Sequence, residues 1–240
     1  MIDQVYCISL HDSERWHAVE RCVASRGLNL RFQRFLAVDT REDKWEAFAD
    51  ELSPRARAEL QECIAQERRT RNAQLTPGAV GCYLSHLGVY HTALSRGHEC
   101  ILVLEDDAEL CENFRSRLRE QVEALPEWDV LVLGYEAKRV ERTERRERNA
   151  TERGATSARA QPKCVRLRKF YGAYAYVITR RGMQKILDRA WPIQEQFDSA
   201  LSSWSDTLKI FAATPKLATH VWQGTSVQSL PMKFDLNAMK

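Results

Sequence analysis

Ile101-Leu102-Val103-Leu104-Glu105-Asp106-Asp107 decides the fold: a run of apolar, partly β-branched residues ends abruptly in three consecutive acids. The apolar part reads as a strand buried on both faces, as in a parallel sheet. Three acids closing such a strand repel one another unless something positive offsets them. In open α/β sheets ligands bind outside the carboxyl ends of the strands, and that is where these acids should point. A hard divalent cation bridging carboxylates to a substrate's phosphates makes such a cluster favourable. A strand followed by a solvated acidic helix start gives the same string, since Asp is a common N-cap. The local pattern leaves both readings open.

The flanking segments supply the rest of an α/β fold. Val5–Leu10 reads as a first strand, Asp12 or Ser13 can cap a helix running to about Ser25, and Gly27 stops it. Arg31–Val38 reads as a second strand ending at Asp39, and this β-α-β opening favours a parallel sheet. A charged helical region follows from Arg41 to about Arg71, with Pro54 placed to start its second helix and Leu60, Cys63 and Ile64 on one face. Leu75-Thr76-Pro77-Gly78 is a turn, and Ala79 to about Ser95 is a largely apolar helix ended by Gly97. After the acids the pattern predicts a helix through Leu125, a strand over Trp128–Gly134, a strand over Tyr171–Thr179 and a helix over Gly182–Ala190. Gln194–Trp204 reads as another helix, and Lys209–Ala213 and Lys216–Val221 as short strands. Glu136–Pro162 is dominated by Arg and Glu without aromatics or an apolar period, which predicts a charged flexible insertion.

Composition narrows the class. With 240 residues, 44% hydrophobic and 29% charged, the chain has the make-up of an ordinary globular protein with a sizeable core. A net charge of +3 does not by itself point to nucleic acid, and the Arg-rich segment lacks the interleaved aromatics that stack bases. The seven cysteines form no C-x-x-C pair, and an odd, scattered set argues for a reducing compartment rather than a disulfide framework. The first ten residues carry an early acid and read as a strand, not a signal peptide, and no apolar stretch is long enough to span a bilayer. The expectation is a soluble, cytoplasmic protein with at most peripheral membrane association.

Several residues could carry chemistry. The Pro77-Gly78 turn opening a helix that also contains Gly81 would let a backbone N–H approach a phosphate or sugar. Ser85-His86 is a polar pair on that apolar helix and needs partners, with a histidine bonded to a backbone carbonyl as the simpler alternative. Asp39 ends the second strand, where nucleotide-binding α/β folds place an acid for ribose hydroxyls. Neither Gly-x-Gly-x-x-Gly after the first strand nor Gly-x-x-x-x-Gly-Lys-Ser/Thr occurs, which argues against a dinucleotide cofactor and excludes a P-loop. Asp198 can be a functional carboxylate or an ordinary helix residue, and His220 a cation ligand or a structural histidine.

The order of these pieces resembles glycosyltransferase family 25, which includes lipooligosaccharide galactosyltransferases and collagen (hydroxylysine) galactosyltransferases. The matching words are Val5–Leu10 with Arg15, Phe35-Leu36-Ala37-Val38-Asp39, Leu75–Gly78 through Gly81–Leu87, Val103–Asp107, Trp128-Asp129, and Tyr174–Thr179 running into Gly182 and then Asp198. The resemblance implies a single domain over residues 1–240 with a GT-A-like, Rossmann-like, mostly parallel central sheet flanked by helices. It implies an enzyme that transfers a hexose, usually galactose, from a UDP-sugar to a glycan or hydroxylysine hydroxyl. By carry-over, Asp107 would hold Mn²⁺ or another divalent cation against the diphosphate, with His220 a further ligand, and Glu105 or Asp106 would hold ribose or the cation's waters. Ser9, Leu10, Arg15, Asp39, Ser85 and His86 would surround the nucleotide-sugar, and Asp198 would be the general base of an inverting transfer. One departure stands out: the family usually has Glu after the Pro-Gly turn, and this chain has Ala79. A non-catalytic sugar- or nucleotide-binding relative is therefore the alternative.

Overall fold

The buried strand that ends in the acids is β3 (Cys100–Glu105), and it alternates as a two-faced strand should. Ile101 and Val103 enter one apolar core, Leu102 and Leu104 the other. The protein is described by a computed structural model over residues 2–28, 31–66, 75–137 and 164–221. The charged insertion expected over 136–162 lies outside the described residues except for Glu136 and Ala137.

Around β3 stand β1 (Gln4–Ser9), β2 (Phe32–Leu36), β5 (Val130–Glu136), β6 (Val165–Arg166), β7 (Tyr171–Thr179) and β8 (Ile210–Ala212). They form a seven-stranded sheet in the order β2-β1-β3-β7-β5-β8-β6. β1 runs parallel to β2 and β3, and β5 runs parallel to β8. The expected mostly parallel sheet holds in that five of the seven strands share a direction, but β7 is antiparallel to both neighbours, β3 and β5. That inversion brings the amino-terminal end of β7 to the same sheet edge as the carboxyl ends of β1, β3 and β5.

Helices cover both faces. On one face lie α2 (Pro54–Ala65), α3 (Pro77–Ser95), α5 (Arg180–Leu187) and α6 (Phe197–Ser203); α1 (Trp16–Ser25) and α4 (Phe114–Glu123) cover the other. Among the described residues, no helix is long and apolar enough to cross a membrane.

Some boundaries differ from expectation for local reasons. α1 starts at Trp16, and Ser13 instead closes the preceding turn by accepting the Arg15 N–H. The first part of the charged helical region is 3₁₀, Glu42–Glu51, before Ser53 caps α2 through the Ala56 N–H. No helix follows the acids directly. Ala108–Leu110 is a short strand, β4, that pairs antiparallel with β9 (Ala218–His220) outside the main sheet. Thr76 caps α3 through the Ala79 N–H, and Gly27 and Gly97 take positive φ where α1 and α3 stop, as read from sequence.

Candidate active site

The shared edge opens into a cavity of about 380 Å³. Of the residues expected there, Ser9, Leu10, Arg15, Ser85, His86, Glu105, Asp106, Asp107, Asp198 and His220 line it, and Asp39 does not. The topology explains the gathering: Ser9-Leu10 and Glu105 end adjacent parallel strands, while Gly172 and Tyr174 begin the antiparallel β7 beside them.

The three acids end in different surroundings. Asp106 is nearly buried and held by Arg15 Nη2 at 2.8 Å and by the Ser13 hydroxyl at 2.5 Å, so it ties the β1–α1 connection to β3. Glu105 lies 3.4 Å from His86 Nε2. Asp107 has a buried Oδ1 without a hydrogen-bond partner. Burial first, and then the charge of Glu105, push its carboxyl up to about 7, against the pull of Arg15. A carboxylate so placed favours a cation beside it.

β4 and β9 bring His220 to the same place. Ala108 pairs with His220, the Val221 N–H donates to the Asp107 carbonyl at 3.0 Å, and the His220 ring packs on Tyr174 at 4.9 Å. Asp198 enters from the first turn of α6. Its Oδ2 accepts the Gly172 N–H at 2.8 Å and its Oδ1 the Ser199 N–H at 2.7 Å. Two backbone donors fix the carboxylate in place, and each oxygen retains a lone pair for another proton donor.

One expectation needs correction, that for Asp39, while Ser85 and His86 line the cavity with side chains already engaged inside the fold. Asp39 turns away from the cavity because Arg41 and Lys44 hold it, at 2.8 Å each. The hydrogen bond from Arg41 holds its carboxyl far below the usual carboxylate range. Its part is to orient Arg41, which lines the cavity and also pairs with Asp12. The Ser85 hydroxyl is spent inside the fold, donating to the Gly81 carbonyl at 2.6 Å and accepting the Val38 N–H at 2.8 Å. It holds the segment after β2 against α3 rather than offering a free group to a ligand. His86 is fully buried: Nδ1 meets the Tyr176 hydroxyl at 2.8 Å and the ring stacks on Phe197 at 4.1 Å.

Sequence reasoning missed several wall residues, among them Thr40, Arg41, Cys82, Tyr171 and Phe197. One carried a readable signal: Cys82 and His86 are four residues apart on a helix, the spacing that puts two ligands on one face. Gly81 has a structural reason. A Cβ there would collide with the Val38 carbonyl and the Thr40 side chain, so only glycine lets α3 approach this closely. Ala79 is buried and faces the cavity, while Thr76 already caps the helix. A glutamate at position 79 would therefore bear on the cavity rather than on capping.

The sequence profile described as "Glycosyltransferase family 25 (LPS biosynthesis protein)" matches residues 2–201. A bovine (Bos taurus) protein named "Probable inactive glycosyltransferase 25 family member 3" is 32% identical over 164 residues, covering 60% of this chain and 25% of its own length. Zebrafish (Danio rerio) "Procollagen galactosyltransferase 1" is 31% identical over 125 residues, 50% of this chain and 19% of its own. The chain thus spans about a quarter or less of the length of these relatives. Among solved structures, the inositol-1-phosphate CTP transferase from T. maritima superposes with a TM-score of 0.40 at 12% identity, covering 92% of this chain and 89% of that one.

Proposed function

The chain belongs to glycosyltransferase family 25, and from that premise we propose that it is a single-domain, metal-dependent transferase moving a hexose, galactose by family, from a UDP-sugar to a hydroxyl of a glycan or hydroxylysine acceptor. The observation that carries this reading is the group of acids lining the cavity, where Asp107 keeps a buried oxygen without a hydrogen-bond partner and Glu105 and Asp198 line the same space. A carboxylate with an open oxygen suits a hard cation such as Mn²⁺, and a neutral imidazole can join it as a ligand. The fit rests on Asp107, with His220 brought alongside by the β4–β9 pairing.

When bound, such a cation neutralises charge on the diphosphate of the leaving group. The chain's own residues do the rest. Arg15 and Arg41 place guanidinium charge on the cavity wall, and Asp106 fixes the orientation of Arg15. Asp198, held by two backbone N–H groups, takes the acceptor hydroxyl's proton as that oxygen bonds to the anomeric carbon. The bond from that carbon to the phosphate oxygen breaks on the opposite face, which inverts the configuration. Seven free cysteines support a place in a reducing compartment, the cytoplasm.

Turnover of UDP-galactose with Mn²⁺ tests the reading. Asp107→Asn should abolish cation-dependent donor binding. Asp198→Asn should keep donor binding and lose at least a hundredfold in transfer or slow donor hydrolysis, the order expected for a general base. Normal transfer rates in Asp198→Asn would remove that residue from the role. The second reading, a sugar or nucleotide binder without turnover, is favoured by Ala79 on the cavity wall and by the likeness to a bovine relative named as probably inactive. Retained UDP-sugar binding in the wild type with neither hydrolysis nor transfer would establish it.

A further inference from the structure

Cys82 and His86 emerge from one face of α3, and Glu105 closes β3 opposite them. Among the described residues these three form a group whose ligand atoms all lie within 4.8 Å of one another. His86 is fully buried, and its Nε2 has no hydrogen-bond partner although Glu105 Oε1 is 3.4 Å away. Cys82 Sγ lies 3.9 Å from the same oxygen. We propose that Cys82, His86 and Glu105 form a three-ligand site for a borderline divalent cation of the Zn²⁺ type, separate from the cation site proposed at Asp107 and His220.

Three physical arguments converge. Ligand atoms placed tetrahedrally at 2.0–2.3 Å from Zn²⁺ are roughly 3.3–3.8 Å apart, and the separations here need only small rotamer adjustments to reach that. Thiolate plus imidazole selects a softer ion than the Mg²⁺ or Mn²⁺ that carboxylates prefer. The second shell is also in place. The Tyr176 hydroxyl lies 2.8 Å from His86 Nδ1 and 2.6 Å from the Tyr90 hydroxyl. Donating onward to Tyr90 leaves the Tyr176 oxygen to accept Nδ1–H, which presents the Nε2 lone pair to an ion. On binding, the Cys82 thiol passes its proton to solvent as the S–metal bond forms. Cys82 and Glu105 both line the cavity, so the fourth position opens toward it.

This site does not rest on the transferase reading, because its test reads the ion directly. The cation-free full chain is titrated with Co²⁺ as a spectroscopic stand-in for Zn²⁺. One equivalent should produce a near-ultraviolet thiolate-to-cobalt charge-transfer band, which Zn²⁺ then displaces. The band should vanish in Cys82→Ser and persist in Asp107→Asn. Tyr176→Phe should keep the band but weaken affinity about 10–100-fold, as loss of an outer-shell partner does. If Cys82→Ser does not fold, Glu105→Gln takes its place, with affinity expected to fall at least tenfold. No band in the wild type, or a band that survives Cys82→Ser or is unmoved in affinity by Glu105→Gln, overturns the proposal.

Discussion

Glu105, Asp106 and Asp107 are consecutive, yet one faces a histidine, one is locked by Arg15 and Ser13, and one keeps a buried oxygen open. The partners lie some ninety positions away in sequence for Asp106, so no local pattern holds that information. Asp129, read only as part of a resemblance word, proves to be a fully buried charge hub for Arg181, Lys185 and the Lys209 N–H. Burial works to raise its carboxyl, but these donors outweigh it and hold the group below its usual value. A depressed carboxylate stabilises the fold above the unfolded pKa of about 3.9, and that contribution is lost as pH falls through the folded value. Asp129→Asn should therefore cost about 3 kcal/mol at pH 7, as breaking a buried pair does, with the deficit shrinking toward strongly acidic pH. Thermal melts of both proteins across pH check this.

At the scale of elements, α3 is the organiser of the site. It was legible as an apolar helix between a Pro-Gly turn and a Gly stop, and it runs Pro77–Ser95. Its register against the segment after β2 was not legible, because that depends on Gly81 facing the Val38 carbonyl and on Ser85 bonding the Val38 N–H. Gly81→Val should force these apart. We expect a loss of at least about 2 kcal/mol in stability, the scale of core overpacking. UDP binding should weaken as well, since Val38, Thr40, Cys82 and Ser85 share the cavity wall. Denaturant melts and a binding titration on the variant measure the two effects. The Cys82–His86 spacing belongs to this helix too, but its third member arrives from β3, so only packing reveals the group.

At the scale of the whole molecule, the cavity exists because five strands point one way and β7 returns between them. A ligand in such a cleft ties several segments together and should raise global stability. UDP with Mn²⁺ at a hundred times its dissociation constant is expected to add about 2.7 kcal/mol. For a domain of this size that is roughly a 5–10 °C rise in Tm, absent in Asp107→Asn. A rise from UDP alone, unchanged by Mn²⁺, would argue against a cation at Asp107. By itself the sequence determined the buried strands, the helices between them, the acids at the end of β3 and the family, because periodicity, turn chemistry and motif order are local properties of the chain. Only the tertiary structure decided the antiparallel place of β7, the pairing of β4 with β9, the retreat of Asp39 and the meeting of Cys82, His86 and Glu105. Each of these depends on contacts between segments far apart in the chain, where several partners satisfy the same local pattern and packing and charge select one.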